Sequence, residues 1–253
     1  MASHDLTVMG GGIFGLACAW EATRRGAKVR LIERHAIGAG ASGGLVGALA
    51  PHVPENWNDK KQFQLESLLM APDWWAAVAD AGGGDPGYLR SGRLQPIPDD
   101  RALANARARI AEAKTLWQNH AEWRVLPATG AVWEPHSPTG FLIHDTLTAR
   151  LHPRRAAAAL TAALRAKGAK ILIGDHAAEG PTVWATGYQG LLDLNAAFAD
   201  PSIRAVLATV GVASGKFSEG QLRAAGAAHH LDARGRDDAT LDAGQPSPRL
   251  RRG

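Results

Sequence analysis

Residues 8–15, VMGGGIFG, set three consecutive glycines and a fourth at Gly15 just before a run of small and apolar residues. The spacing Gly10-x-Gly12-x-x-Gly15, between a strand and a helix, brings polypeptide backbone against a pyrophosphate. Gly10 permits the tight turn, Gly12 clears the approach, and Gly15 lets the helix pack close to the strand. The helix start at Ile13 and Phe14 then offers unpaired N–H groups and a partial positive charge to an anion. Glu33, eighteen residues beyond Gly15, ends the next strand, where its carboxylate is placed to accept a ribose hydroxyl and would repel a 2′-phosphate. Arg34 beside it is either a solvated surface charge or a cover for an adenine ring. These residues together ask for a dinucleotide, and they do not separate NAD from FAD.

Such a constellation needs a strand–turn–helix–strand frame. Residues 6–9 form a short buried strand, 13–25 a helix closed by Gly26, and 28–32 a second strand. That βαβ unit implies a parallel sheet and an α/β fold. The stretch 38–51, GAGASGGLVGALAP, is rich in small residues that let backbone lie against a long flat ligand. An ordinary NAD-binding domain usually places a helix there.

Farther on, 62–81 has helical periodicity with Phe63, Leu65, Leu68, Leu69, Trp74, Trp75 and Val78 as its apolar set. Residues 91–97 read as a strand, and 99–120 as a long helix with Asp99 or Asp100 as N-cap. Strands are expected at 123–126 and 140–144. A helix at 153–167 has proline at its start and Gly168 at its end. Short strands follow at 170–173 and 182–184.

The chain has 253 residues, 45% of them hydrophobic and 21% charged, which suits a globular protein of one or two domains. Its formal charge of +4 is scattered rather than blocked, which argues against nucleic acid as the main partner. No apolar run reaches the ~18 residues of a membrane span. The single cysteine, Cys18, excludes an internal disulfide, fits a reducing cytoplasmic setting, and is expected to be buried in the first helix. The ten histidines show no metal-ligand spacing, so no metal is expected. Ser42 is not in a G-x-S-x-G elbow. Trp74, Trp75 and Trp117 are expected as core anchors, while His52 and Arg93 face either a substrate or solvent.

At this point the chain resembles the glycine oxidase and D-amino-acid oxidase-like flavoenzymes, the DAO family. The resemblance rests on VMGGGIFG, LIER, ASGGLVGALAP, SGRLQPI, LHPRRAAAALTAALRAKGA and VWATG, in that order, between Asp5 and Phe198. It implies FAD as the cofactor, with the Ser42–Gly43 turn and the Gly47–Ala48 backbone along the pyrophosphate and flavin ring. It also implies that Thr186 and Gly187 end a strand beside the dinucleotide. The implied chemistry is oxidation of a C–N bond: hydride passes from the amine-bearing carbon of a small amine or amino acid to the flavin, and the imine hydrolyses. The organisation expected is a Rossmann-like FAD-binding domain with a parallel sheet from residues 1–54 and 151–198. Residues 55–150 would add a partial mixed α/β substrate domain.

After Phe198 the pattern changes. All eight tryptophans and both tyrosines precede that point, and Phe217 is the sole aromatic beyond it. From residue 231 on, large apolar residues are too few to offset the entropy of ordering, so little folded structure is expected there. The tail's Ala, Gly, Arg and Asp bias resembles a GC-rich gene read in a shifted frame. Family members have further substrate-domain strands, an arginine for a substrate carboxylate and a closing glycine-rich segment, none of which is legible here. Two alternatives to an active oxidoreductase therefore stand: a truncated, non-catalytic nucleotide-binding relative, and an NAD-linked dehydrogenase. The site assignment has a direct test. Gly12→Val is expected to abolish nucleotide binding because its side chain fills the pyrophosphate approach; a variant retaining FAD at wild-type stoichiometry would show that Gly12 lies outside the site.

Overall fold

A computed structural model describes residues 4–82, 84–198, 229–231 and 237–240. The elements in chain order are β1 (Leu6–Met9), α1 (Ile13–Arg24), β2 (Val29–Glu33), a 3-10 turn (Ala41–Gly43), β3 (Gly47–Leu49), α2 (Asp59–Gly82) and β4 (Arg93–Pro96). They continue with α3 (Asp100–Leu116), β5 (Trp123–Pro127), β6 (Phe141–Asp145), β7 (Ala149–Leu151), α4 (Pro153–Ala166), β8 (Lys170–Ile173), β9 (Thr182–Trp184) and α5 (Gly187–Phe198). A short antiparallel pair, β10 (His229–Leu231) with β11 (Asp237–Thr240), closes the series. The chain divides into two compact units, 1–183 and 184–253. The second unit contains α5 and the β10–β11 pair. That pair is local strand structure in a stretch whose composition predicts none, and the rest of the tail lies outside the described residues.

In the first unit the expected α/β frame is present. Four strands are ordered β8-β2-β1-β9. β1 and β2 run parallel, with Leu6 opposite Val29 and Met9 opposite Ile32, and β2 runs parallel to β8. Val8, Val29 and Leu31 pack with Leu16, Ala19 and Trp20 of α1, Trp75 and Val78 of α2, and Leu160 and Leu164 of α4. Each of the Val and Leu residues in that set that is fully buried contributes roughly 1.5–3 kcal/mol. α4 is well specified locally: Pro153 starts it, His152 Nδ1 accepts from Arg155 N–H, and its alanine-rich face buries Ala156, Ala159, Leu160, Ala163 and Leu164.

A separate three-stranded antiparallel sheet is ordered β4-β6-β5. α3 packs on it through Leu103 and Ala106, against Val125, Phe141 and Ile143. A third cluster joins Leu65 and Leu68 of α2 to Trp117, Trp123 and Leu147. Trp75 and Trp117 are buried anchors, as their types predict. Trp74 meets Trp75 edge-on at 4.7 Å and donates its Nε1–H to Glu21 at 2.6 Å.

Several expectations change. α2 starts at Asp59 rather than 62 because Asn58 Oδ1 caps it by accepting from Lys61 N–H at 3.1 Å. α3 stops at Leu116 because Gln118 and Asn119 adopt left-handed backbone, with φ of 51° and 61°. β3 and β7, paired antiparallel, are not legible in the sequence, since three residues are too few to show alternation. Cys18 is exposed. α1 buries Gly15, Leu16, Ala19 and Trp20, and Cys18 stands two positions, about 200° around the helix, from both Leu16 and Trp20. Phe63 is 72% exposed for a similar reason: α2 turns Leu65 and Leu68 inward.

α1, α2 and α4 cover one face of the four-stranded sheet. Across the other runs the eight-residue connection 174–181, which joins the two edge strands β8 and β9. Eight extended residues reach at most about 27 Å, enough to cross three strand spacings of about 4.8 Å. The strap is tied to what lies beneath it. Thr7, fully buried, donates its hydroxyl to Glu179 O at 2.6 Å, and its N–H to Pro181 O at 2.9 Å. Arg30, 6% exposed, meets the Glu179 carboxylate at 2.5 Å and donates to Ala177 O. The hydrogen bond and charge of Arg30 hold the Glu179 carboxyl below its ordinary range. A carboxylate with a lowered folded pKa adds stability above its unfolded pKa and loses it as pH falls through the folded value. Glu179→Gln is therefore expected to lower the thermal midpoint at neutral pH and to flatten its decline between about pH 5 and 3. Unchanged midpoints across that range would show that the ion pair does not hold the strap.

Candidate functional site

The glycine turn leaves β1 through Gly10, whose φ of +110° only glycine adopts readily, and Gly10 N–H donates to Ile32 O at 2.7 Å. Gly11 N–H then donates to Glu33 Oε2 at 2.6 Å. The space a Cβ on Gly11 would need is filled: Ile37 Cδ1 lies 2.7 Å and Glu33 Cβ 2.9 Å from it. Gly12 is the N-cap of α1, and the first helical bond runs from Leu16 N–H to Gly12 O at 2.9 Å. The N–H groups of Gly12, Ile13, Phe14 and Gly15 therefore have no helical acceptor. Ile13 N–H is taken by Ser42 Oγ at 2.9 Å; the other three have no partner among the described residues. Gly15 itself is buried in the packing of α1, and the Phe14 side chain is 80% exposed.

Glu33 ends β2 as expected. Its two carboxylate oxygens accept from Gly11 N–H at 2.6 Å and from His35 N–H at 2.9 Å. Each oxygen retains a further lone pair, so the group that braces the turn can also accept ribose hydroxyls. Arg34 meets Asp175 at 3.4 Å with both side chains largely in solvent.

The segment after β2 folds back onto the turn. Gly38, at φ +71°, donates its N–H to Gly11 O at 3.0 Å. Ser42 follows in the 3-10 turn, and Gly43 sits so close to Gly38 O that a Cβ there would be 2.7 Å from it. Arg154 of α4 donates its Nε–H to Gly43 O at 2.8 Å. Between this segment and α4 lies an open cleft of about 620 Å³, lined by Gly38, Ser42, Gly43, Arg154, Ala157 and Arg165 among others.

Gly47 and Ala48 lie in β3, opposite Leu151 and Arg150 of β7. A Cβ on Gly47 would approach Leu151 O to 3.2 Å. Gly10, Gly12, Ile13, Gly15, Glu33, Ser42 and Gly43 are thus joined by short bonds and shared elements. Thr186 and Gly187 belong to the second unit, where Gly187, at φ +62°, opens α5 and Thr186 O accepts from Gly190 N–H at 3.3 Å.

Arg93 donates its Nε–H to the fully buried Asp145 at 3.0 Å, tying β4 to β6. His52 donates its backbone N–H to Gln64 at 2.6 Å. Burial, helped by the charges of Lys60 and Lys61, lowers its ring pKa and favours the neutral form. Among the described residues no group of three or more metal-capable side chains comes together.

Two contributors escaped the motif. Gly11 falls on a variable position of the G-x-G-x-x-G spacing, although the uninterrupted glycine triplet was its signal. Arg154, more than a hundred residues from the turn, had none. The assembled geometry can hold the ADP half of a dinucleotide, with unpaired amides for the pyrophosphate, a braced carboxylate for the ribose, and glycine backbone that allows close approach.

A model of the DAO family, described as FAD dependent oxidoreductase, matches residues 5–247, extending past Phe198, where the motif-by-motif resemblance stops. A putative thiamine biosynthesis oxidoreductase ThiO from Rhizobium etli is 31% identical over 175 residues, covering 67% of this chain and 48% of that protein. A bifunctional protein ThiO/ThiG from Trichormus variabilis is 33% identical over 122 residues, 47% of this chain and 19% of that one. The chain thus spans about half or less of these curated relatives. Glycine oxidase from Geobacillus kaustophilus shares the fold, with a TM-score of 0.59 at 17% identity over 74% of this chain and 56% of that one.

Two substitutions test the brace. Gly11→Ala is expected to push Glu33 off the turn and weaken FAD binding about tenfold, the loss of roughly one hydrogen bond. Glu33→Gln turns an amide NH2 toward a backbone donor, so it should both weaken FAD binding and lower the thermal midpoint of the ligand-free protein. Lys167→Met, at the exposed C-cap of α4, is the control. Titration of flavin fluorescence checks all three, and equal affinities would remove the brace from the binding site.

Proposed function

We propose that this chain, which belongs to the DAO family of FAD-dependent oxidoreductases, holds FAD on the Gly10–Gly15 turn and oxidises a C–N bond of a small amine or amino acid. The observation that carries the reading is the row of unpartnered amides at the start of α1 beside the Glu33 carboxylate. The amides of Gly12, Phe14 and Gly15 would bind the pyrophosphate, aided by the helix dipole. Glu33 would accept the ribose hydroxyls without leaving Gly11 and His35. Ser42, already accepting from Ile13, has a hydroxyl proton to donate to a phosphate oxygen. Gly47 and Ala48 would place backbone along the flavin. Bound FAD supplies the two-electron oxidation by accepting hydride from the amine-bearing carbon.

The substrate class is supported by the similarity to a putative thiamine biosynthesis oxidoreductase and to the fold of a glycine oxidase. The family is FAD-dependent, which displaces the NAD-linked alternative. A single cysteine, exposed and without a disulfide partner in the sequence, suits a reducing cytoplasm. No helix among the described residues is long and apolar enough to cross a membrane.

The test begins with the absorption spectrum of the purified 253-residue chain after incubation with FAD. Flavin bands at near-equal stoichiometry are expected, followed by peroxide release or dye reduction with at least one small amine. A colourless protein that binds NAD instead would overturn the cofactor. Stoichiometric FAD with no turnover of any amine, under either acceptor, would overturn the oxidation and leave the non-catalytic relative.

A further inference from the structure

We infer that Arg154 is a positioning residue for the anion-binding turn, acting through Gly43 and Ser42. The inference rests on the FAD reading above for its consequence, but its geometry stands without any ligand. Arg154 Nε–H donates to Gly43 O at 2.8 Å, a bond between α4 and a segment 111 positions earlier in the chain. Gly43 leans on Gly38 O, Gly38 N–H is bonded to Gly11 O, and Ser42 Oγ accepts from Ile13 N–H at 2.9 Å. The path from the guanidinium to the first amide of α1 is therefore continuous.

The segment is held at its tip by hydrogen bonds more than by packing. Ala39, Gly40 and Ala41 are exposed, and an open cleft of about 620 Å³ runs along the segment beside α4. A chain of glycine and alanine over a cleft has many backbone states available, so fixing Ser42 opposite Ile13 requires bonds rather than packing. A charge-assisted donor on a rigid helix provides one. Arg154 stands in the first turn of α4 with its side chain in solvent, so replacing it leaves the core of Leu160 and Leu164 untouched.

The experiment compares Arg154→Met, Arg154→Lys and, as control, Arg165→Met, which removes another arginine of the same cleft. Three quantities are read on the full chain: amide hydrogen exchange at Ile13 without FAD, the FAD dissociation constant, and the thermal midpoint. Arg154→Met is expected to speed Ile13 exchange and raise the dissociation constant, each about tenfold, with the thermal midpoint nearly unchanged. Arg154→Lys, whose Nζ can still donate to Gly43 O, should restore most of both. Arg165→Met should match wild type. Unchanged Ile13 exchange in Arg154→Met overturns the proposal, as does equal acceleration of all amides or an equal effect of Arg165→Met. If the wild-type chain binds no FAD, the cofactor reading falls, while the exchange data still decide whether Arg154 positions the turn.

Discussion

The bond from Gly11 N–H to the Glu33 carboxylate is the constraint on which the rest of the first unit is arranged. It joins the end of β2 to the turn that follows β1, two strands that their parallel register already holds side by side. A carboxylate accepting from two backbone amides is fixed in place between the turn and the residues that follow β2. It can be so placed only where nothing with a side chain comes between, and the position of a Gly11 Cβ is already filled by Glu33 and Ile37. The same group thus shapes the turn and holds a carboxylate beside it.

The remaining architecture keeps that junction rigid from both sides of the sheet. On one face, α1, α2 and α4 meet over Val8, Val29 and Leu31. On the other, a strap of eight residues holds buried Arg30 and Thr7 through its own carbonyls and Glu179. A charged residue inside a parallel sheet would ordinarily be costly. Here it serves as a peg for a connection too short to bury an apolar face of its own.

Much of this was legible in the sequence. The βαβ unit, the glycine turn, Glu33 at a strand end and α4 all follow from local signals: periodicity, a proline start, a glycine stop. Those signals act within a few residues, and the structure honours them to within one or two positions. What was not legible is what depends on distant partners. β3 and β7 are strands only because each finds the other. Arg93 read equally as substrate-facing or solvent-facing, and its bond to Asp145 depends on another strand. Ser42 could be placed near a phosphate by resemblance, but its bond to Ile13 N–H follows from a fold-back that composition alone leaves open. Cys18 and Phe63 show the opposite limit, in which residue type predicts burial and the phase of the helix decides against it.

The division of the site into polar and apolar portions bears on which dinucleotide it suits. The glycine turn supplies amides and a carboxylate, while Phe14 beside it is 80% exposed, and Leu45 and Val46, in the segment that leads into β3, are 63% and 84% exposed. Large exposed side chains of this kind close to a polar cradle are what a ligand with one charged and one flat, apolar part would cover. The nicotinamide of NAD is small and cationic in its oxidised form, and it would leave most of that surface wet. A three-ring flavin joined to the same ADP half would cover more of it. The glycines and alanines between Gly38 and Gly44 carry the chain from the Ser42 bond with α1 toward β3 with little side-chain bulk.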